Sequence, residues 1–381
     1  MRIAFLSIGR HIHTERWIQW FAQRGHECHL LTVQPGDIEG VEVHDIRSIA
    51  RPKPLHYAIS LIKVKSVLKK INPDILNTHF LTGYGYWGQF SGMHPNVLTV
   101  WGDDVYLTPY ENKLKRKLAE AAMKSCDALT GDSVDILQQS VRDLGADPDR
   151  AYRVLWGVDF SVFKPLDASS WREKHGYSEN DIIYFSPRSF TQPYYNIDIV
   201  IKAAKIVKSN EPRARFIFAG YEGDPKPFWE MATEAGINDV SKFMGRIPHS
   251  DFATVLAGSD VFISVPSVDA TAVSLLEAMS CSSAIIVSDL PSSVEWVEDG
   301  ISAKVVPPEN VELLARAMLE YADNSDSRSA FGVAAMQYAH KVAGFDANME
   351  YVDKIFRALV EEDEGWPEEV LLAKCRSLDV D

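Results

Sequence analysis

The sequence predicts an α/β protein made of two Rossmann-like domains, and three observations predict it. Short runs rich in Val and Ile alternate with amphipathic stretches from end to end, which is the pattern of parallel strands joined by crossover helices. The series halts around Phe163, Lys164 and Pro165 and then starts again. A length of 381 residues is too great for one ordinary core and suits two.

Strands of the first series are expected at Arg2 to Ser7, Glu27 to Val33, Val41 to Asp45, Ile75 to Thr78, Val97 to Trp101, Ala128 to Gly131 and Tyr152 to Leu155. Helices fit Thr14 to Arg24, Ile59 to Ile71, Lys113 to Lys124 and Ser133 to Leu144. The second series places strands at Ile182 to Ser186, Arg215 to Ala219, Val261 to Val265, Ala284 to Ser288 and Ala303 to Val306. Its helices are expected at Asp198 to Ser209, Phe228 to Ala235, Ser250 to Ala257, Val273 to Ser280 and Val311 to Asp323. Asp74, Asp127 and Asp260 each stand just before a strand, so the same junction recurs in both halves. The resulting domains are 1–165 and 166–345, followed by a tail, 346–381, with a helix at Met349 to Glu361.

Composition narrows the function. A chain that is 46% hydrophobic and 24% charged is that of a folded globular protein. A formal charge of −14 argues against general nucleic-acid binding, which needs a basic surface. The opening run from Met1 to Gly9 is too short for a signal peptide, and no run approaches the ~20 apolar residues that cross a bilayer, so a cytoplasmic location is expected. Basic clusters at Lys63, Lys65, Lys69 and Lys70, and at Lys113, Lys115, Arg116 and Lys117, leave a peripheral contact with the inner face of a membrane open, although such clusters are more often solvated helix faces. Cys28, Cys126, Cys281 and Cys375 are too far apart for a disulfide framework or a metal spacing.

In doubly wound sheets ligands sit beyond the carboxyl ends of the strands, so residues just after each strand are the candidates. These include Gly9, His13, His79, Trp101, Asp104, Arg188, Gly245 and the stretch from Ser267 to Ser274. Neither a GxGxxG after the first strand nor a GxxxxGK[ST] is present, which removes the best signals for dinucleotide binding and for P-loop hydrolysis. The most informative segment runs from Pro266 to Met279, after a strand and into a helix. Asp269 lies on its loop, the amides of Ala270, Thr271, Ala272, Val273 and Ser274 lie near a helix N-terminus that suits an anionic diphosphate, and Glu277 lies further along, able to accept hydrogen bonds from ligand hydroxyls. Two acids around a positive helix end describe a site for a nucleotide sugar.

That segment resembles the signature of the retaining glycosyltransferases of GT-B fold, family GT4 (glycosyl transferases group 1), in which two acids are separated by seven residues and the second begins Leu-Glu-Ala-Met. Gly25-His26-Glu27, Gly157-Val158-Asp159 with Phe163 and Pro165, Arg188, Asp289-Leu-Pro and the stretch from Glu295 to Gly300 also resemble the family, over nearly the whole chain. The resemblance implies two Rossmann-like domains facing across a cleft, the first on the acceptor side and the second binding the donor, with the tail crossing back to the first. It implies that Glu277 holds the nucleotide ribose, that Asp269 meets the donor sugar at the reacting end, and that Arg188 meets the diphosphate. Gly9 and Gly245 join the donor residues, and His13, His79, Trp101 and Asp104 the acceptor side. The expected reaction moves a sugar from a UDP- or GDP-sugar to a glycan, lipid-linked or small-molecule acceptor, with no cofactor and no metal, since Gly102-Asp103-Asp104 falls in the wrong half for a diphosphate-bound ion.

Two other readings stay open, a nucleotide-sugar epimerase of GT-B architecture and, on departures from the family pattern, an inactive nucleotide-sugar-binding homologue. Asp269-Ala-Thr-Ala272 replaces the usual Glu-Gly-Phe-Gly, the lysine that accompanies the clamp arginine is missing, Trp101 stands where histidine is common, and Ser282 stands where a helix-ending glycine is common. An alanine forced to positive φ would cost about 1 kcal/mol or more.

Overall fold

The computed structural model describes residues 1–220 and 222–361 and divides the chain into two compact units. The first holds strands β1 (Arg2–Leu6), β2 (Glu27–Thr32), β3 (Val41–Asp45), β4 (Ile75–His79), β5 (Asn96–Thr99), β6 (Ala128–Gly131) and β7 (Ala151–Arg153). All pair in parallel, in the order β3-β2-β1-β4-β5-β6-β7. The second holds β8 (Ile182–Pro187), β9 (Ala214–Ala219), β10 (Ser241–Gly245), β11 (Val261–Ser264), β12 (Ala284–Ser288) and β13 (Lys304–Val306), in the order β10-β9-β8-β11-β12-β13. Both are doubly wound sheets, so the α/β reading holds. The direction of winding reverses between β1 and β4 in the first and between β8 and β11 in the second. Those reversals are where such sheets bind ligands.

Helices on both faces bury the central strands nearly completely, which is why those strands read as continuous apolar runs rather than alternating ones, while the edge strands β3 and β10 stay partly exposed. In the second unit Tyr184, Phe216, Phe218, Val261, Ile263 and Ile286 from the strands pack with Val200, Ile201, Ala204 and Val207 of the helix Ile197–Asn210 and with Leu314, Met318 and Tyr321 of the helix Val311–Asp323. Two buried phenols find carbonyl partners there, Tyr184 on Met318 at 2.8 Å and Tyr321 on Ile285 at 3.1 Å, so the packing of these two rings strands neither hydroxyl.

The chain leaves the first unit after Trp156, earlier than the boundary expected at 165. The reason is local: Val158 bridges to Gly344, and Phe163 packs on His249 and Phe252, so residues 157–165 are built into the second unit. The helix Phe345–Val360 returns to the first unit, where Trp20 donates to Asp346 at 2.8 Å and Phe356 stacks on Phe21 with centroids 5.2 Å apart. The rest of the tail, 362–381, with Cys375, lies outside the described residues. Among the described residues no helix is long and apolar enough to cross a membrane.

Several elements depart from the sequence reading, among them the short helices Tyr84–Ser91 and Ser169–Lys174, which it did not place. The helix expected from Ile59 begins at Lys53, the strand β10 was unanticipated, and so was the long helix Ser325–Val342.

Candidate donor site and aromatic cluster

Arg188 follows β8 and Asp269 follows β11, so the reversal of the second sheet places them side by side. The guanidinium of Arg188 ion-pairs with the carboxylate of Asp269 and lies over the ring of Tyr195, 4.8 Å from its centroid. Arg188 is only 8% exposed, and its buried Nε has no hydrogen-bond partner among the described residues. A buried, fixed cation with an unspent donor is the feature of this site that asks for an anion. Burial pushes the Asp269 carboxyl above its ordinary value, against the opposing pull of Arg188 and of the Ala270 amide.

The loop that carries Asp269 is braced from two sides. Asn196, buried and left-handed at φ 56°, donates through its amide to the Val265 carbonyl at 2.9 Å and to Ser267 at 2.7 Å. From the other side Ser292 donates to the Asp269 carbonyl at 2.7 Å, and the indole of buried Trp296 donates to Thr271 Oγ1 at 3.1 Å. The helix Val273–Ser280 then begins from Ala272, which offers no side-chain cap. Its first-turn amides, at Val273 and Ser274, are left to an outside acceptor. The Ala270 amide, by contrast, is turned onto the Asp269 carboxylate and is not one of them.

Neither alanine of Asp269-Ala-Thr-Ala272 is strained. Ala272 sits at φ −68° and Ala270 is not among the residues of positive φ, so the missing glycines cost no backbone energy here. Ser282 does adopt the glycine-like conformation, at φ 60°.

Glu277 is not paired with Arg188. It lies in the second turn of its helix, 4% exposed, with Oε1 3.0 Å from Nε2 of His249. His249 heads the helix His249–Gly258 and packs edge-on against Phe163. Sequence reasoning missed it because the strand before it, β10, went unrecognised. Gly245 ends that strand at φ 60° with open space where a Cβ would stand, so backbone conformation alone requires glycine in the turn toward His249. Gly245 thus shapes the turn, and the space beside its Cα stays open.

Around the reversal of the first sheet the candidates divide. His13 stacks on Trp156 with centroids 5.1 Å apart, His11 lies 4.9 Å from both His13 and Trp101, and Trp101 stacks on Phe80 at 4.3 Å. His11, within the stretch from Gly9 to His13 that follows β1, belongs to the cluster, and Trp156, three residues past β7, is an addition that sequence reasoning did not single out. Gly9 is a correction: a Cβ there would stand 2.5 Å from the Gln34 carbonyl, so the glycine serves contact between two chain segments. His79 is fully buried beneath the cluster, and burial pushes its pKa down to about 3, which holds it neutral.

Asp104 is a second correction. Its carboxylate, 1% exposed, accepts the amides of Leu81 at 2.7 Å, Gly102 at 2.7 Å and Trp101 at 3.1 Å, so it clamps two loops and has nothing to offer an acceptor. Burial pushes its carboxyl up to about 6. A folded value above the unfolded one means that the proton stabilises the fold below about pH 4 and that this contribution is lost as pH rises through 6. Asp104→Asn, which does not titrate, is therefore expected to gain on the native protein between pH 4.5 and 7.5, by roughly 2 to 3 kcal/mol in urea unfolding. A constant difference across that range would show that Asp104 stays charged throughout.

Of the basic clusters, Lys115 and Arg116 are engaged with Glu111 and Glu120, so that helix face carries less free positive charge than its sequence suggests.

Two family models match the chain, "Glycosyl transferase 4-like" over residues 2–133 and "Glycosyl transferases group 1" over residues 167–338. Among curated proteins it is similar to D-inositol 3-phosphate glycosyltransferase of Kribbella flavida, 27% identical over 231 residues, which are 58% of this chain and 54% of the relative. The counterpart in Mycobacterium bovis is 28% identical over 75% of this chain and 61% of its own length. The chain thus spans a little over half the length of the curated relatives it matches. Among solved structures, sucrose-phosphate synthase of Thermosynechococcus elongatus aligns with a TM-score of 0.82 at 16% identity, covering 95% of this chain and 100% of the other. HepE of Anabaena, solved in complex with UDP-glucose, aligns with a TM-score of 0.81 at 15% identity over 94% and 100%. Identities so low speak for the fold alone.

Proposed function

The chain belongs to the group 1 glycosyltransferases, and we propose that it moves a sugar from a nucleoside diphosphate sugar to an acceptor hydroxyl, with retention of anomeric configuration. The observation that carries this reading is Arg188, a buried cation at the reversal of the second sheet with an unspent Nε. As the glycosidic bond breaks, the leaving diphosphate gains negative charge, and a pre-fixed guanidinium with the Val273 and Ser274 amides stabilises that charge without reorganising. The Arg188–Asp269 pair gives Asp269 a double part: it holds the guanidinium and faces the donor sugar. These groups supply the positive charge the departure needs, so the reading assigns no metal.

Glu277 takes the ribose hydroxyls. A buried carboxylate held by His249 accepts such hydrogen bonds in a fixed orientation, and His249 acts through it as a positioning residue. UDP-sugars are the first donors to test, given the UDP-glucose bound in HepE, and phosphorylated polyols are the first acceptors, given the inositol phosphate named for the curated relatives. The aromatic cluster of His11, His13, Trp101 and Trp156 suits the apolar face of a sugar-like acceptor.

Glu277→Ala is expected to weaken nucleotide-sugar binding about 10- to 100-fold, the worth of hydrogen bonds to a charged acceptor, as read by calorimetric titration. His249→Ala is expected to weaken it less, since the carboxylate remains. Unchanged affinity in Glu277→Ala would remove the ribose role.

A further inference from the structure

A histidine and carboxylate cluster on β2 and β3 takes no part in the chemistry above. His29 is register-paired with Glu42 across the two strands, and His44, two residues along β3, shares the face of Glu42. Nδ1 of His29 lies 3.1 Å from Nε2 of His44 and 3.5 Å from Oε2 of Glu42, and the other carboxylate oxygen lies 3.7 Å from Nε2 of His44. The separations are close to those of a metal triangle: tetrahedral bonds of about 2.0–2.1 Å hold ligand atoms roughly 3.3–3.4 Å apart.

The surroundings prepare the ligands. Nε2 of His29 lies 3.0 Å from Glu27, which is itself held by Arg2 at 2.9 Å. A proton donated to Glu27 leaves the lone pair of Nδ1 facing the triangle, which is the outer-shell carboxylate arrangement of metal-binding histidines. His44 can donate to that lone pair, but the Glu42 carboxylate then faces it with no proton between. A cation satisfies all three groups together. The charges that face His44 are those of Glu42, His29 and Lys70. Lys70 is a nearby positive charge that opposes the ion.

We propose that His29, His44 and Glu42 bind one divalent transition ion of the zinc type, completed by water, which ties edge strand β3 to β2. The ligand set of two imidazoles and a carboxylate suits zinc, with nickel and copper as competitors. Glu42 stands at the open side, with its side chain 62% exposed, so the ion has a route in from solvent.

The test titrates the untagged full chain, stripped with a chelator, with Zn²⁺ by calorimetry and with Co²⁺ by visible absorption. One equivalent of bound metal is expected, with the strong bands of tetrahedral cobalt and a raised melting temperature. Glu42→Gln, a change at an exposed side chain, and His44→Gln should each weaken binding at least tenfold, and Glu27→Gln about 10- to 100-fold through loss of the outer-shell contact. His11→Gln with His13→Gln should leave it unchanged. Absence of stoichiometric binding, or binding that survives Glu42→Gln and His44→Gln, or binding lost in the His11 and His13 variant, overturns the proposal.

Discussion

Arg188→Ala is expected to lower kcat by about 100- to 1,000-fold, the scale seen when one fixed donor to a developing anion is removed. The effect should fall on kcat rather than KM, because charge on the diphosphate grows as the bond breaks and the guanidinium gains most of its interaction there. A second consequence follows from the ion pair. Asp269 loses its cation in a site whose burial already pushes its carboxyl upward, so it becomes still easier to protonate. Arg188→Lys separates the two effects: it keeps a charge for Asp269 but loses the planar fork that could serve Asp269 and a phosphate together. Its kcat should lie between those of the native protein and Arg188→Ala. The measurement is donor turnover with an acceptor found by screening, and a change confined to KM in Arg188→Ala would mean that the arginine binds ground state and transition state alike.

The legibility of this site followed burial. Strands with both faces covered read plainly, and so did Arg188 and Asp269, since the first directly follows one and the second stands on the loop after another. β10 is an edge strand whose residues are half-buried or exposed, Ser241-Lys-Phe-Met-Gly245, and it carries no run of Val or Ile. Its loss from the sequence reading took His249 with it. Asp104 and Gly9 misled for the converse reason. An acid and a glycine after strands are the marks of a ligand site, but the same positions also need clamps and close chain contacts, and only the three amides on Asp104 and the Gln34 carbonyl beside Gly9 tell the two apart. Pairing within the site was equally hidden, because the spacing of Asp269 and Glu277 does not reveal that one is held by Arg188 and the other by His249.

The unread helix Ser325–Val342 leads to the second large effect. Its buried residues are Gly332, Ala335 and Ala339, small enough to leave no apolar stripe in the sequence, and their smallness is what lets the helix lie against the end of Val273–Ser280. A Cβ on Gly332 would stand 2.1 Å from the Ser282 carbonyl oxygen and 2.8 Å from its carbon, both backbone atoms that no rotamer change can move. Gly332→Val is therefore expected to cost about 3 kcal/mol or more and to lower the melting temperature of the second unit by roughly 6 to 12 °C. Ser282→Gly should act in the opposite sense, since the left-handed backbone at φ 60° penalises serine, with a gain of up to about 1 kcal/mol. It should not rescue Gly332→Val, because the obstruction is a carbonyl that glycine keeps. Nucleotide-sugar affinity links this packing to function: the displaced helix carries Glu277, so Gly332→Val should weaken binding at temperatures where the protein is still folded, while Ser282→Gly should not. Unchanged affinity in folded Gly332→Val would mean that the helix yields elsewhere and that Glu277 is held in place by His249 and the braced loop alone.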